Sequence, residues 1–169
     1  AETVEVVLRT LRMNSFGLWD SVVSQGEELL AAPMTVVCET DRGPATWTAG
    51  PKSLQRVTPA LARFASSAES PAVRLDARSE IEVDGCMRTV FRLSPGRTPA
   101  TVAGLRVRIP LKDRAVTLWH VLQSGNIRFN ATGAVPAGSG RVWDSSRSGN
   151  GAMLGTFLPY IWLGGPERG

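Results

Sequence analysis

At 169 residues and 18.1 kDa, with 43% hydrophobic and 20% charged residues, the chain has ordinary globular composition and enough length to bury a sizeable core. Its net charge of +4 does not make a nucleic-acid signature, because arginines are scattered among acids, as in Arg74-Leu75-Asp76-Ala77-Arg78-Ser79-Glu80, with no basic block. No run of about 18 apolar residues is present, so neither nucleic acid nor membrane is an expected partner.

Period-two patterning dominates. Val4, Val6 and Leu8 alternate with polar residues in an opening strand, and Met34, Val36 and Cys38 do the same further on. Between them, residues 21–32 are good enough helix formers for one or two turns. Segments 44–49 and 53–58 read as short, more polar strands; 59–70 fits a helix or a strand. The run 72–83 alternates with Val73, Leu75, Ala77, Ile81 and Val83 on one face, and 86–93 returns with Met87, Phe91 and Leu93 on one face. Asp84-Gly85 between them is a strong hairpin signal. Further strands are expected at 102–110, 115–122, 127–130 and 155–163. Residues 131–151 form a long Gly/Ser-rich loop interrupted by Val142-Trp143, a length usually associated with function or an interface. The expectation is one all-β domain over residues 1–169, an antiparallel β-sandwich of about ten strands with little helix.

The chain opens Ala1-Glu2-Thr3, which fits a mature end after signal removal or an arbitrary start; a secreted or periplasmic location is expected. It ends on an apolar strand followed by the turn-like Gly164-Gly165-Pro166-Glu167-Arg168-Gly169. With no strand after that turn, the chain reads as a piece of a longer polypeptide.

Chemistry-bearing residues are few. Cys38 and Cys86 fall in predicted strands and read either as a bridge or as two buried thiols; the thiols are preferred, since a domain of this size needs no staple. With one histidine and no CxxC, CxxH or HExxH spacing, neither a metal site nor a cofactor is expected. Glu80 and Glu82 share a strand face, but opposite the apolar one, as on a solvated sheet surface. His120 alternates onto the face of Val116, Leu118 and Leu122 and reads as a satisfied core residue. No Gly-x-Ser-x-Gly elbow is present, so no catalytic residue is assigned. The tryptophans are more suggestive, since a partly exposed indole stacks on the apolar face of a sugar and donates one hydrogen bond. Trp143, with its neighbour Asp144, is the first candidate for ligand binding, and Trp19 and Trp47 follow. Trp119 and Trp162, inside strands, read as core or interface.

Three segments together carry a resemblance: Asn14-Ser15-Phe16-Gly17-Leu18-Trp19 leading to Gly26–Met34; the hairpin ending Arg88–Pro95 followed by Leu105–Leu111; and Gly155–Gly164 with Glu167-Arg168-Gly169. In that order and spacing they resemble the N-terminal region of large bacterial proteins similar to glycoside hydrolase family 123. The resemblance implies a β-sandwich, or an extended galactose-mutarotase-like sandwich, ahead of a catalytic (β/α)8 barrel that hydrolyses β-linked N-acetylgalactosamine with an Asp-Glu pair. No such pair occurs in this chain, so no catalytic residue carries over. On that footing the chain is a non-catalytic domain, truncated before the barrel of the same parent chain, that docks on the barrel through an apolar patch at Tyr160 and Trp162. A glycan is a second expected partner, met through Trp143 and Asp144. The alternatives are a free-standing carbohydrate-binding module and, with no motif behind it, an independent glycan-active enzyme.

Overall fold

The computed structural model describes residues 3–122, 130–141, 144 and 160–166. These form fourteen strands and one 3-10 turn, with every strand pair antiparallel and no α-helix among the described residues. The backbone divides into two compact units, Ala1–Pro110 and Leu111–Gly169.

The first unit holds three sheets. β1 (Thr3–Val6), β2 (Arg9–Met13), β3 (Trp19–Ser24) and β4 (Glu27–Glu28) pair in sequence order. The segment expected to make a helical turn is instead the end of β3, a hairpin turn and β4. Gln25 and Gly26 both have positive φ, 49° and 82°, which is the two-residue turn whose twist matches paired strands. The β-branched Val22 and Val23 favour extension ahead of it.

β7 (Thr48–Val57), β8 (Leu61–Glu69), β9 (Val73–Glu82) and β10 (Met87–Pro95) form the second sheet, in the order β10-β9-β8-β7. The Asp84-Gly85 hairpin joins β9 to β10, with Gly85 at φ +88° and the Asp84 carboxylate accepting from the Cys86 amide at 2.8 Å. Alternation sends Val73, Leu75, Ala77, Ser79 and Ile81 into the core, beside Ala62, Phe64 and Ala68 of β8. Val83, expected to continue that face, lies in the turn and is exposed. Residues 59–70 settle as strand.

The inner faces of these two sheets meet through polar groups as well as apolar ones. The Lys52 ammonium donates to the Met13 carbonyl at 2.8 Å. The Gly17 carbonyl accepts from Ser79 Oγ at 2.7 Å and Thr89 Oγ1 at 3.2 Å. Gly17 is required there: its φ is +68°, and an added Cβ would lie 2.7 Å from Ala77 Cβ and 2.8 Å from Ser79 Oγ. Asn14 shapes this turn. Its Oδ1 accepts from the amides of Phe16 and Leu18, and its Nδ2 donates to the Met34 carbonyl at 2.9 Å. A buried amide with its groups so paired costs little and fixes the turn.

The third sheet joins β5 (Thr35–Thr40) to β6 (Gly43–Pro44) on one side and β11 (Val102–Arg108) on the other. Cys38 is a buried free thiol in β5, and burial, then the Glu39 charge, push its pKa up. Cys86 is also free, but it lies in the turn before β10 and is exposed, not in a strand as expected.

The second unit has a 3-10 turn, Asp113–Ala115, then a three-stranded sheet in the order β13-β12-β14, made of β12 (Leu118–Leu122), β13 (Asn130–Ala134) and β14 (Tyr160–Gly164). β13 takes up the start of what reads in sequence as a long loop. Trp119 and Val121 form its buried cluster, with Ala131 and Val135 packed against them.

Candidate functional site

The ligand-binding candidates do not converge. Trp19 opens β3 in the core, 5% exposed. Trp47 is half-buried; its indole N–H donates to the Val36 carbonyl at 2.8 Å and its ring meets Phe16 edge to face at 5.9 Å. That N–H closes the stretch of β5 that the short β6 leaves unpaired, so it is committed to the fold. Trp143 lies outside the described residues. The Asp144 carboxylate is ion-paired with Arg141, three residues earlier.

Acids on the outer face of the second sheet are likewise engaged. Glu80 pairs with Arg63 at 2.7 Å, and Arg74 is held between Asp76 and Glu69. The Arg74 hydrogen bond, opposed by desolvation and helped by the Arg74 and Arg92 charges, holds the Asp76 pKa below the usual carboxylate range. Register explains the pattern: Arg63, Glu80 and Arg88 lie side by side across three strands, and Asp76 and Arg92 face each other across two. Glu82 stands exposed at the strand end. An open groove of about 640 Å³ lies at one end of this sheet, between Thr48, Glu69, Arg74, Pro95, Arg97 and Thr98. Its one acid, Glu69, is tied to Arg74. Among the described residues no three His, Cys, Asp or Glu side chains come together as a metal site. This is the chemistry of a solvated sheet face, not of an acid/base pair.

Two surfaces stand out, of which the sequence points only to part of the second, at Tyr160 and Trp162. The first is β11. Leu105 and Val107 sit opposite the buried Cys38 and Val36, hence on the core side of their sheet, yet they are 43% and 45% exposed, and Ile109 beyond them 52%. A strand at a sheet edge has its core-facing row covered only if another element lies over it. In sequence, Leu105-Arg106-Val107-Arg108-Ile109 reads as an ordinary half-buried strand.

The second surface is one face of the β13-β12-β14 sheet. Alternation does place His120 with Leu118 and Leu122 and opposite Trp119, but the buried face is that of Trp119 and Val121. His120 therefore lies on the more open face, a correction to its reading as a core residue. Its register partners there are Thr132 and Trp162, and Tyr160 sits opposite Leu122 on the same face. His120 Nδ1 is 2.7 Å from Thr132 Oγ1, and the His120 and Tyr160 rings meet edge to face at 6.4 Å. Tyr160 is 48% exposed and Trp162 half-buried. Ile161 and Leu163 point the other way and are also exposed. The sequence marks Tyr160 and Trp162 as an apolar interface, but nothing in it brings His120 and Thr132 beside them; the strand register does.

Comparison with known proteins gives a match to a family model. No curated protein and no solved structure matches the chain significantly. Residues 1–151 match the family described as glycoside hydrolase 123, third domain. That position corrects the N-terminal placement implied by the sequence resemblance, while keeping the chain within a multidomain protein. The chain belongs to the third-domain family of glycoside hydrolase 123.

Proposed function

We propose that this chain is a non-catalytic accessory domain of a carbohydrate-active enzyme, docking on and supporting a catalytic barrel in the same parent polypeptide. The observation that carries the reading is the open core-side row of β11. Leu105, Val107 and Ile109 continue an apolar surface whose neighbours Val36 and Cys38 are buried. Leaving such a row in water forgoes roughly 25 cal/mol per Å² of apolar surface that a docked partner recovers. Arg106 and Arg108 alternate onto the opposite face, where Arg106 pairs with Glu39 at 2.7 Å, so the strand separates an apolar side from a charged one.

The test is association in solution between this chain and the separately expressed catalytic domain of its parent. A complex is expected, weakened at least about tenfold by Leu105→Lys with Val107→Lys. Retention of the far-UV spectrum shows that the variant still folds. No complex, or one indifferent to the substitutions, refutes the reading. A second reading, glycan binding by the domain itself, is supported by one separate observation, the partly open aromatic face around Trp162.

A further inference from the structure

The second unit uses one packing device twice, with different outcomes. On one face of the sheet the Trp119 indole lies against Gly133: a Cβ at Gly133 would sit 2.8, 2.9 and 3.1 Å from Cζ2, Cε2 and Nε1. On the other face the Trp162 indole lies against Gly164, where a Cβ would sit 2.7 and 3.1 Å from Cη2 and Cε2, with Cζ2 closer still. Three consecutive ring atoms all this close to one point place that point over the ring plane, so each ring lies face down on its glycine rather than edge on. A glycine is needed because any side chain would lift the ring off the sheet. Trp119, so laid, is covered and 4% exposed, and its N–H is spent on the Ala134 carbonyl at 3.1 Å. Trp162 is only half-buried, so the π-face turned away from Gly164 is directed outward.

What surrounds that outward face is polar at its edge. His120, directly opposite Trp162, has Nδ1 engaged by Thr132 Oγ1, which fixes the ring and leaves Nε2 without a partner among the described residues. Tyr160 stands edge-on to His120 and is 48% exposed. A flat apolar plate bordered by an imidazole nitrogen, a threonine hydroxyl and a phenol matches one chemical class well. A pyranose ring presents an apolar C–H face to stack on the indole and a rim of hydroxyls to hydrogen-bond around it. A lipid or an apolar protein segment would offer no partner to His120 Nε2 or to the Tyr160 hydroxyl.

We propose that Trp162, His120, Thr132 and Tyr160 form a pyranose-binding subsite, taking one ring of a glycan stacked on Trp162, with His120 Nε2 bonded to a ring hydroxyl. The subsite rests on the glycan-binding reading and is independent of docking through β11. Its affinity is that of a single stacked ring, weak by itself and useful to a multidomain protein that holds the same glycan elsewhere.

The experiment is titration of the full chain, labelled with ¹⁵N at tryptophan and histidine, with chitotetraose and with cellotetraose. At least one oligomer should shift the Trp162 indole and His120 ring signals saturably, leaving Trp19 and Trp119 unmoved. Trp162→Leu should weaken binding by roughly tenfold and His120→Ala by roughly threefold to tenfold, with the remaining indole signals in place. Saturable shifts centred on Trp47 or Trp143 overturn this subsite while leaving a glycan role standing. The absence of shifts with both oligomers overturns the subsite and the glycan reading together.

Discussion

Replacing Gly17 by alanine separates two costs that the fold imposes at one residue. The backbone at φ +68° is left-handed, which costs an alanine about 1–2 kcal/mol. The new methyl also meets Ala77 Cβ at 2.7 Å, Ser79 Oγ at 2.8 Å and Ser66 Oγ at 3.2 Å. Ala77 and Ser79 are held in an interior strand of a four-stranded sheet, so they have little room to retreat, and overpacking of this kind costs about 1–3 kcal/mol. Gly26 supplies the control: its φ is +82°, and nothing lies within 4 Å of the position of an added Cβ. Gly26→Ala therefore carries the backbone cost alone. In urea unfolding followed by far-UV circular dichroism, with a slope of about 1.5 kcal/mol/M, Gly17→Ala should lower the midpoint by about 0.7–2 M more than Gly26→Ala does. Equal midpoints for the two variants would mean that the Asn14–Leu18 turn does not press on β9 as described.

The other expectations concern charge and thiols. Asp76 has a folded-state pKa below its unfolded value, so its contribution is present above the unfolded carboxylate range and is lost as pH falls through the folded pKa. Asp76→Asn should thus be less stable than the parent near neutral pH, by no more than about 1 kcal/mol for a pair this exposed, and should converge with it in strong acid. A difference that grows on acidification contradicts the assignment. For the thiols, an aromatic disulfide reagent should modify Cys86 quickly in the folded chain and Cys38 only after unfolding. Two fast thiols would place Cys38 outside the core.

Period-two alternation was a sound guide wherever a strand has one dry face. The run from Val73 to Ile81 was legible because each core position carries an apolar or small residue, and because Asp84-Gly85 dictates the turn. Residues 21–32 misled because Glu27 to Ala32 have good helix propensity, while the decisive feature, paired positive φ at Gln25 and Gly26, includes a glutamine that no pattern marks for that conformation. The Asn14–Trp19 motif was visible as a resemblance, but its meaning was not. Its residues serve one turn that plugs Gly17 between Ala77 and Ser79, a contact spanning about sixty positions of sequence. His120 shows the opposite limit: alternation assigned its face-mates, yet which of two mixed faces becomes the core depends on what packs there. Trp119 and Val121, with Ala131 and Val135, outweigh His120 with Leu118 and Leu122 because the one polar group on that face, the Trp119 N–H, is satisfied by the Ala134 carbonyl at 3.1 Å, so burying it leaves no group unpaired.

The same reasoning locates function in the departures from tidy burial rather than in the motifs. Groups committed to the fold, such as the Asn14 amide, the buried Trp19 ring and the Trp47 N–H, have little to offer a partner, since their contacts are spent inside it. The two surfaces that retain capacity are chemically unlike. The β11 row is aliphatic and lacks polar groups on its side of the strand, so only a partner that excludes water over the whole row gains from it. The Trp162 face mixes one π-surface with three hydrogen-bonding groups, so it rewards a small ligand that is apolar on one side and hydroxylated around its edge. The two proposed roles follow that difference: the β11 row suits docking against another domain, and the Trp162 face suits stacking of a single pyranose ring.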